Sequence, residues 1–576
     1  MSDPIDPITF EVVSNALSAT ADEMALTIMR SAYSQVVRDT MDYSTALCDR
    51  NGAVIAQGLT LAVQLGAFPD AMRNLIQQFG DDMNPSDVFI FNDPYGAGGQ
   101  HLPDIYIIKP IFLDGSVEGY AATMAHHCDV GGLTPGSVAI HATEVFQEGL
   151  RLPIVKLYEL GEPNTTVFRI IERNTRQPVQ VIGDIKAQVA ACRAGERGLL
   201  ELLRKYGKDR LRVYLDERQS RAERLMRAEI AALPDGEYCN TDYLDGYGEN
   251  PVPIRIEVRL IVKGDEIIVD MTGTSPQVPA AINCPIAMSN SVAYCAIRCI
   301  GGPDIPNCDG YMRPITVTAP SGTIVNPVLP AACAARGVIG YRVFDAIMGA
   351  LAQIVPDKVI AASEGGPTLF SIGGYDRGRV FVLTEVMVGT WGARASLDGV
   401  EGISNPAANL SNQPVELIEA ELPLQVVHYG FVPDSGGAGR FRGGLAFTRE
   451  WRLLADEAVV TVRSDRRFHP PYGVAGGKAG RPSRNVLRTS SGQRVLPPMP
   501  MEGLVLRRGD SFHHDGAGGG GYGDAFARDP ALVLEDVLDE KVSIEAARRD
   551  YGVVIDPQGL AVNAAETTLL RAERIG

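Results

Sequence analysis

Residues 101–129 read HLPDIYIIKPIFLDGSVEGYAATMAHHCD. Apolar runs flank Asp114-Gly115, a dipeptide suited to a tight hairpin turn because both of its positions can take positive φ. The pattern predicts a strand over Ile105–Leu113 and a returning strand over Tyr120–His126. If that turn sets the register, paired residue numbers add to about 229, which places His126 opposite residue 103 and within one position of Asp104. His101 lies just before the first strand, and the Gly96–Gly99 loop ahead of it leaves the chain free to fold it inward. Successive strand residues face opposite sides, so only one of His126 and His127 can join such a group.

Two imidazoles and a carboxylate at one spot make up the usual three-ligand set of a hydrolytic metal site, with a position left for water. The competing reading is that strand-end histidines are held by backbone or carboxylate hydrogen bonds, and spacing alone leaves the two level. The concentration is local: of eight histidines, His101, His126, His127 and His141 fall within 41 residues beside Asp93, Asp104 and Asp129. His428, His469, His513 and His514 stand isolated or in glycine-rich stretches and read as surface or supporting groups.

Outward from the hairpin, Val13, Leu17, Ala21, Met24 and Ile28 recur at helical steps and predict a helix over Ile8–Ala32. TALCD and AVIAQ around Arg50-Asn51-Gly52 predict a second hairpin, followed by a helix over Phe68–Phe79 and a strand over Val88–Phe91. Helices are expected over Val179–Tyr206 and Lys208–Ala232, closed by Pro234-Asp235-Gly236. From Tyr238 to about Pro320 the pattern alternates, as in RIEVRLIVKGDEIIVDM with a Gly264-Asp265 turn, and Gly365-Gly366-Pro367 punctuates the stretch that follows. PDSGGAGRFRGG, the GGKAG around Gly476 and GAGGGGYGD near Gly518 read as loop connections in a strand-rich region in preference to phosphate cradles. The expected fold class is mixed α/β (α+β) and multidomain, divided at 1–236, 237–413 and 414–576, with strand-rich central and C-terminal parts.

Composition narrows the function. The 576 residues carry 53 basic and 70 acidic side chains, a formal charge of −17 that offers no basic face for nucleic acid. No uncharged apolar run is long enough to span a membrane. The opening MSDPIDPITF has acids and prolines where a secretory leader has bases and an apolar block, so the expected location is cytoplasmic. The nine cysteines show no CxxC spacing and read as reduced thiols, Cys128 among them as a small buried hydrophobe. There is no GxSxG elbow, no GxGxxG that follows a strand with an acidic residue in the right place, and no P-loop, since Gly477-Lys478 is followed by Ala479 and Tyr472 stands where the leading glycine belongs. ATP, if used, is bound elsewhere.

DYSTALCDRNGAVIAQG, NDPYGAGGQHLPDIYIIKPIF, AHHCDVGGLTPGS, QEGLRLPIVKL, DMTGTSPQVPAAIN, PDSGGAGRFRGG and ARRDYGVV follow one another in this order. Together they resemble the hydantoinase B family, from about Pro7 to about Val554. That resemblance implies the B-type subunit of an ATP-dependent enzyme opening a cyclic amide, such as a hydantoin, 5-oxoproline or a lactam. It implies a hydantoinase A-type partner, α2β2 being one such assembly, that uses ATP and Mg to phosphorylate the substrate. It also implies a divalent metal, zinc, manganese or iron, held by His101, Asp104, His126 and an acid at the DYS block. Asp42 is the favoured acid and Asp39 the alternative, because Asp39 stands where relatives carry glutamate. Gln64 departs from a histidine common in relatives, which suggests altered surroundings of the metal or substrate. Asp129 is expected to support an imidazole, and Asp129 or Asp39 to accept a proton. Two other readings stay open: a subunit of an ATP-dependent ketone carboxylase, and a non-catalytic scaffold whose histidines brace an interface.

Overall fold

The computed structural model describes residues 5–573 except 365 and 367. Met1–Pro4 of the opening stretch, and Gly365 and Pro367 of the Gly-Gly-Pro punctuation, therefore lie outside the described residues. The chain is a multidomain α+β protein.

The hairpin forms where the sequence places it. Its strands belong to a seven-stranded antiparallel sheet of β1 (Tyr43–Asp49), β2 (Val54–Gln57), β3 (Val88–Phe91), β4 (Asp104–Leu113), β5 (Ser116–His126), β6 (Val155–Glu159) and β7 (Glu162–Pro163). Their order is β2-β1-β5-β4-β3-β6-β7. Asp114 and Gly115 both adopt positive φ, 52° and 78°, as the tight turn requires. Beside the turn the expected register holds, with Phe112 opposite Val117. Ile111 then pairs with Gly119, so Glu118 is an extra residue, a β-bulge that moves every later pair by one. The register read from the turn is corrected accordingly: His126 stands opposite Asp104 itself, not residue 103.

Helices Pro7–Ser31 and Pro178–Tyr206 cover one face of this sheet with Leu17, Met24, Ile28, Ile185 and Leu199. Their close approach depends on Gly195, where a Cβ would stand 2.5 Å from the Met24 sulfur and 3.0 Å from the Ala121 Cβ. Helix Phe68–Phe79 covers the other face, packing Phe68 edge-on to Tyr106, which in turn stacks on Phe91 at 4.9 Å. Such aromatic burial dominates the energetics of small cores.

The alternating stretch forms a four-stranded sheet of Gly236–Leu244, Ile254–Lys263, Glu266–Asp270 and Ile315–Thr318. Lys263 pairs with Glu266, leaving Gly264-Asp265 as the turn. A helix, Ile286–Arg298, interrupts the expected alternation; with the helix Gly337–Leu351 it buries Val292, Ala296, Val343 and Ile347 in the central core. From Thr368 onward, a four-stranded and a five-stranded sheet share a core in which Phe370 stacks on Trp451 at 4.4 Å and on Phe512 at 5.1 Å.

The glycine runs do more than connect strands. They are extended segments packed backbone against backbone, with Gly437 donating to the Gly519 carbonyl at 2.8 Å, Gly519 to Gly444 at 3.0 Å and Gly521 to Lys478 at 2.9 Å. A Cβ on Gly443 would lie 1.9 Å from the Gly519 oxygen, and one on Gly518 would lie 1.8 Å from the Ser435 oxygen. These amides donate within the stack, so they are not laid out as a phosphate cradle.

Candidate metal centre

At the open end of the hairpin, strand pairing sets two side chains directly. Asp104 and His126 begin β4 and end β5 opposite each other, so their side chains share one face. Asp42 immediately precedes β1, and its carbonyl accepts the His126 amide at 2.9 Å. His101 folds back from the loop, bringing its ring to 5.0 Å from that of His126. His101, Asp104 and His126 each offer one donor atom, all within 4.8 Å of one another and all buried.

The hydrogen bonding defines their chemical state. His101 Nδ1 lies 2.7 Å from the Ala334 carbonyl, which can only accept, so Nδ1 carries the proton. Its Nε2 then presents a lone pair to Asp104 Oδ1 at 3.1 Å. Two lone pairs at that distance repel unless a cation or proton lies between them. His101 Nε2, Asp104 Oδ1 and His126 Nδ1 are buried without a hydrogen-bond partner, which is costly for polar atoms cut off from water. Burial, with the Arg336 charge, pushes the His101 pKa down; burial, with neighbouring His101, pushes His126 well down. Burial works to raise Asp104, but Arg336 and the two imidazoles hold it below the ordinary carboxylate range. Neutral imidazoles and an ionised carboxylate are the states in which these groups bind a metal. The residues present therefore fit a divalent cation.

The surroundings fix this arrangement from several directions. Arg336, just before helix Gly337–Leu351, bonds Asp104 Oδ2 through Nη2, which also reaches Gln100 Oε1 at 3.1 Å. Glu148 accepts the amides of Cys333 and Ala334 at 2.6 and 2.7 Å, holding the turn whose carbonyl orients His101. Burial pushes the Glu148 pKa up to about 8. Gln64 donates to Asp42 Oδ1 at 2.8 Å and accepts from Ser44 at 2.8 Å, so it orients Asp42. Burial, with repulsion from Asp104, pushes Asp42 up to about 7. Asp42, His101, His126, Arg336, Tyr341 and Arg463 line a cavity of about 30 Å³ that is otherwise largely apolar. That is room for a water-sized guest.

A family model described as "Hydantoinase B/oxoprolinase" matches residues 6–525. The chain belongs to the hydantoinase B/oxoprolinase family. A caprolactamase subunit beta from Pseudomonas jessenii is 34% identical over 583 residues, which cover 97% of this chain and 98% of that one. The crystal structure of ATP-dependent caprolactamase from Pseudomonas jessenii matches with a TM-score of 0.92 at 33% identity, over 99% of this chain and 100% of that one. Nucleotide-free acetone carboxylase shares the fold, with a TM-score of 0.91 at 18% identity over 99% of this chain and 83% of that one. No described helix is long and apolar enough to cross a membrane.

Within this hydantoinase B/oxoprolinase fold, the other residues singled out from sequence separate from the cluster. Asp42 lines the same cavity but lies outside the tight three-donor group. Asp39 pairs with its neighbour Arg38 at 2.8 Å. Asp129 is fully buried, and its carboxylate takes the Arg176 guanidinium at 2.9 Å and the amides of Gly131 and Gly136 at 2.9 and 3.1 Å. It closes the 129–136 loop and bonds no imidazole, contrary to the support expected of it. His127, on the opposite strand face as expected, bonds Gln188 at 3.0 Å. Asp93 pairs with Arg151, and His141 is not part of the group. His514 is buried against Asn485, and His513 lies between Glu450 and Asp515. Sequence reasoning missed Gln100, Glu148, Arg336, Tyr341 and Arg463. Glu148 lies inside the quoted QEGLRLP block; a buried arginine before an apolar helix start, as in CAARGVIG, was the signal for Arg336.

Proposed function

We propose that this chain is the B-type subunit of an ATP-dependent enzyme that opens a cyclic amide, with its chemistry at the Asp42, His101, Asp104 and His126 site. The observation that carries the reading is the buried set of three donors whose facing atoms lack hydrogen bonds. The long alignment with a caprolactamase subunit beta supports a cyclic amide as substrate and a partner subunit as companion. The lack of a P-loop in this chain agrees with ATP being used by an A-type partner, which would phosphorylate the amide oxygen.

A divalent cation of the zinc, manganese or iron kind, when bound, supplies a Lewis acid that polarises the activated amide and acidifies water. His101 and His126 give neutral nitrogens, Asp104 gives an ionised oxygen, and Asp42 is the fourth donor that the cavity offers. Arg336 fixes Asp104, Glu148 fixes the turn that orients His101, and Gln64 fixes Asp42. The apolar part of the cavity keeps bulk water out. Neither Asp39 nor Asp129 faces this cavity, so neither is assigned the proton transfer. In the balanced reaction, water adds across the phosphorylated amide and the ring C–N bond opens with nitrogen leaving as an amine. A second water then releases inorganic phosphate and leaves a carboxylate.

Co-expression with the A-type subunit tests the proposal through ATP hydrolysis stimulated by hydantoin, 5-oxoproline and larger lactams, with and without bicarbonate. Lactam-dependent ADP and amino-acid formation without bicarbonate is expected. Turnover of ketones that needs bicarbonate would establish the carboxylase instead. Full activity in a His101→Ala variant would leave only a scaffold role for the cluster.

A further inference from the structure

The three donors are buried, and the cavity beside them, about 30 Å³, takes one water-sized guest. A cyclic amide ring is several times that size, so one wall moves before such a substrate reaches His101, Asp104 and His126. A cation reaching donors so buried needs an opening too.

Which wall moves follows from how each is built. Met288 stands on helix Ile286–Arg298, Tyr341 on helix Gly337–Leu351, His126 on β5, and Leu369 and Val386 face each other across two paired strands. Moving any of these disrupts a ladder or a helix packed into the core. Leu410 is different. It lies in the stretch between strand Arg379–Met387 and helix Val415–Glu421, farther from a helix or strand than any other described residue around the cavity. Its neighbour Asn409 is exposed and Ser411 half-buried, so this wall is one chain thick.

The stretch is fastened at both ends and laid lightly across the middle. The Ser404 carbonyl accepts the Trp391 indole N–H, the Asn412 side chain accepts the Val388 amide at 2.9 Å, and Gln413 donates to the Thr384 carbonyl at 2.8 Å. Between these fastenings two backbone hydrogen bonds reach the N-terminal region, from Val63 to the Ala407 carbonyl at 2.8 Å and from Ser411 to the Thr40 carbonyl at 3.0 Å. Asn409 adds a long contact to the Leu59 carbonyl at 3.5 Å. Once lifted, these groups exchange their partners for water. Asn405 folds residues 405–408 into a compact turn, its side chain and carbonyl accepting the Ala407 and Ala408 amides at 2.9 and 2.7 Å, so this part moves as a unit. Its packing is light: Ala407, Ala408 and Leu410 meet the central core, and two of the three are small.

We propose that residues 405–411 form a lid, hinged at Ser404 and Asn412, that lifts from Thr40 and Val63 to admit the substrate. The structure shows the lid down, with Leu410 filling part of the space that the ring takes once the lid has lifted. The size of that space rests on the reading of this chain as a cyclic amide hydrolase subunit; the burial of the donors calls for the same opening whatever the substrate. A lid of this kind also keeps bulk water from the site during the reaction.

A cross-link between lid and body tests the proposal. Thr40 and Ser411 lie side by side through their hydrogen bond, so Thr40→Cys with Ser411→Cys, oxidised by glutathione disulfide, fastens the lid down, and thiol titration confirms the bond. Uptake of cobalt by the metal-free full-length chain, followed by absorbance, is expected to be at least tenfold slower in the oxidised variant than in the native chain. In Leu410→Ala, which lightens the lid, uptake is expected to be a few-fold faster, with the same final cobalt content in all three. Hydrogen exchange reads the opening without metal: the Val63 amide, not itself cross-linked, is expected to exchange at least tenfold more slowly in the oxidised variant. Cobalt uptake at the native rate in either variant, or unchanged exchange at Val63, would overturn the proposal. The two readings fail separately. Slowed uptake and exchange in a chain whose complex opens no cyclic amide keep the lid and remove the substrate assignment, whereas lactam turnover at the native rate in the cross-linked complex keeps the assignment and removes the lid.

Discussion

Asp104 stands directly across from His126 in the β4–β5 ladder because Glu118 bulges out between the turn and the pair. The bulge absorbs one residue, so the pairing does not need Glu118 to be present. Deleting Glu118 is expected to keep Ile111 opposite Gly119 and to retain about one equivalent of bound metal, at the loss of the Glu118 ion pairs with Arg212 and Lys208 and its hydrogen bond from Ser116. Deleting Ala122 instead shifts His126 off Asp104 and is expected to abolish metal binding. Elemental analysis of both purified deletions checks this.

His101→Ala removes a donor while leaving the Asp104–Arg336 pair in place. It is expected to fold and to retain less than about a tenth of an equivalent of metal after gentle purification. Asp104→Ala also strands the buried Arg336 guanidinium, a loss of about 3–5 kcal/mol. It should therefore melt at a clearly lower temperature than His101→Ala, as calorimetry would show.

Metal uptake should depend on pH through Asp42. Burial, with repulsion from Asp104, places Asp42 at about 7 in the metal-free chain, so below that pH it holds a proton that a cation must expel. Affinity is expected to rise between pH 6 and 8, approaching about tenfold per unit at the acid end, where one proton is released for each ion bound. Competition titrations with a metal indicator would show the slope, and Asp42→Asn should flatten it.

Glu148 also carries a stability signature. Burial raises its pKa from 4.5 to about 8, so the folded chain binds a proton that the unfolded chain gives up. Its contribution is full below pH 4.5 and is lost as pH rises towards 8. Glu148→Gln keeps an oxygen for the amides of Cys333 and Ala334 and should preserve metal binding while removing this dependence. Glu148→Ala leaves both amides buried and unpaired, costing about 2–4 kcal/mol. Melting curves from pH 5 to 8 distinguish the two variants.

Gly443→Ala should fail in a different way, through backbone collision. The added Cβ would meet the Gly519 oxygen at 1.9 Å, with backbone on both sides and no flexible side chain to yield. A loss of about 4 kcal/mol or more is expected. Soluble yield and melting temperature relative to Gly430→Ala, where nothing lies within 4 Å, measure it.

Much of the local structure was legible in the residues. The period of Val13 to Ile28 gave a helix, the Asp114-Gly115 turn gave the hairpin, and strand alternation separated His126 from His127. The bulge at Glu118 escaped because nothing in SVEGY distinguishes an extra residue from a paired one. The polyglycine packing escaped because glycine's freedom serves a loop and a close backbone contact equally well. Asp129 was misplaced for a related reason: two residues after His127 it is near in sequence, yet the chain turns away and gives it to Arg176.

The sequence by itself determined the core of the site, since His101, Asp104 and His126 are brought together by one hairpin and the loop before it, and short-range pairing follows from residue pattern. Only the tertiary structure decided what surrounds them: that Asp42 and not Asp39 faces the cavity, and that Arg336, Tyr341 and Arg463 close it from more than two hundred residues away. Those contacts arise from packing between separate cores, where burial and charge compensation choose the partners and no periodicity along the chain records the choice.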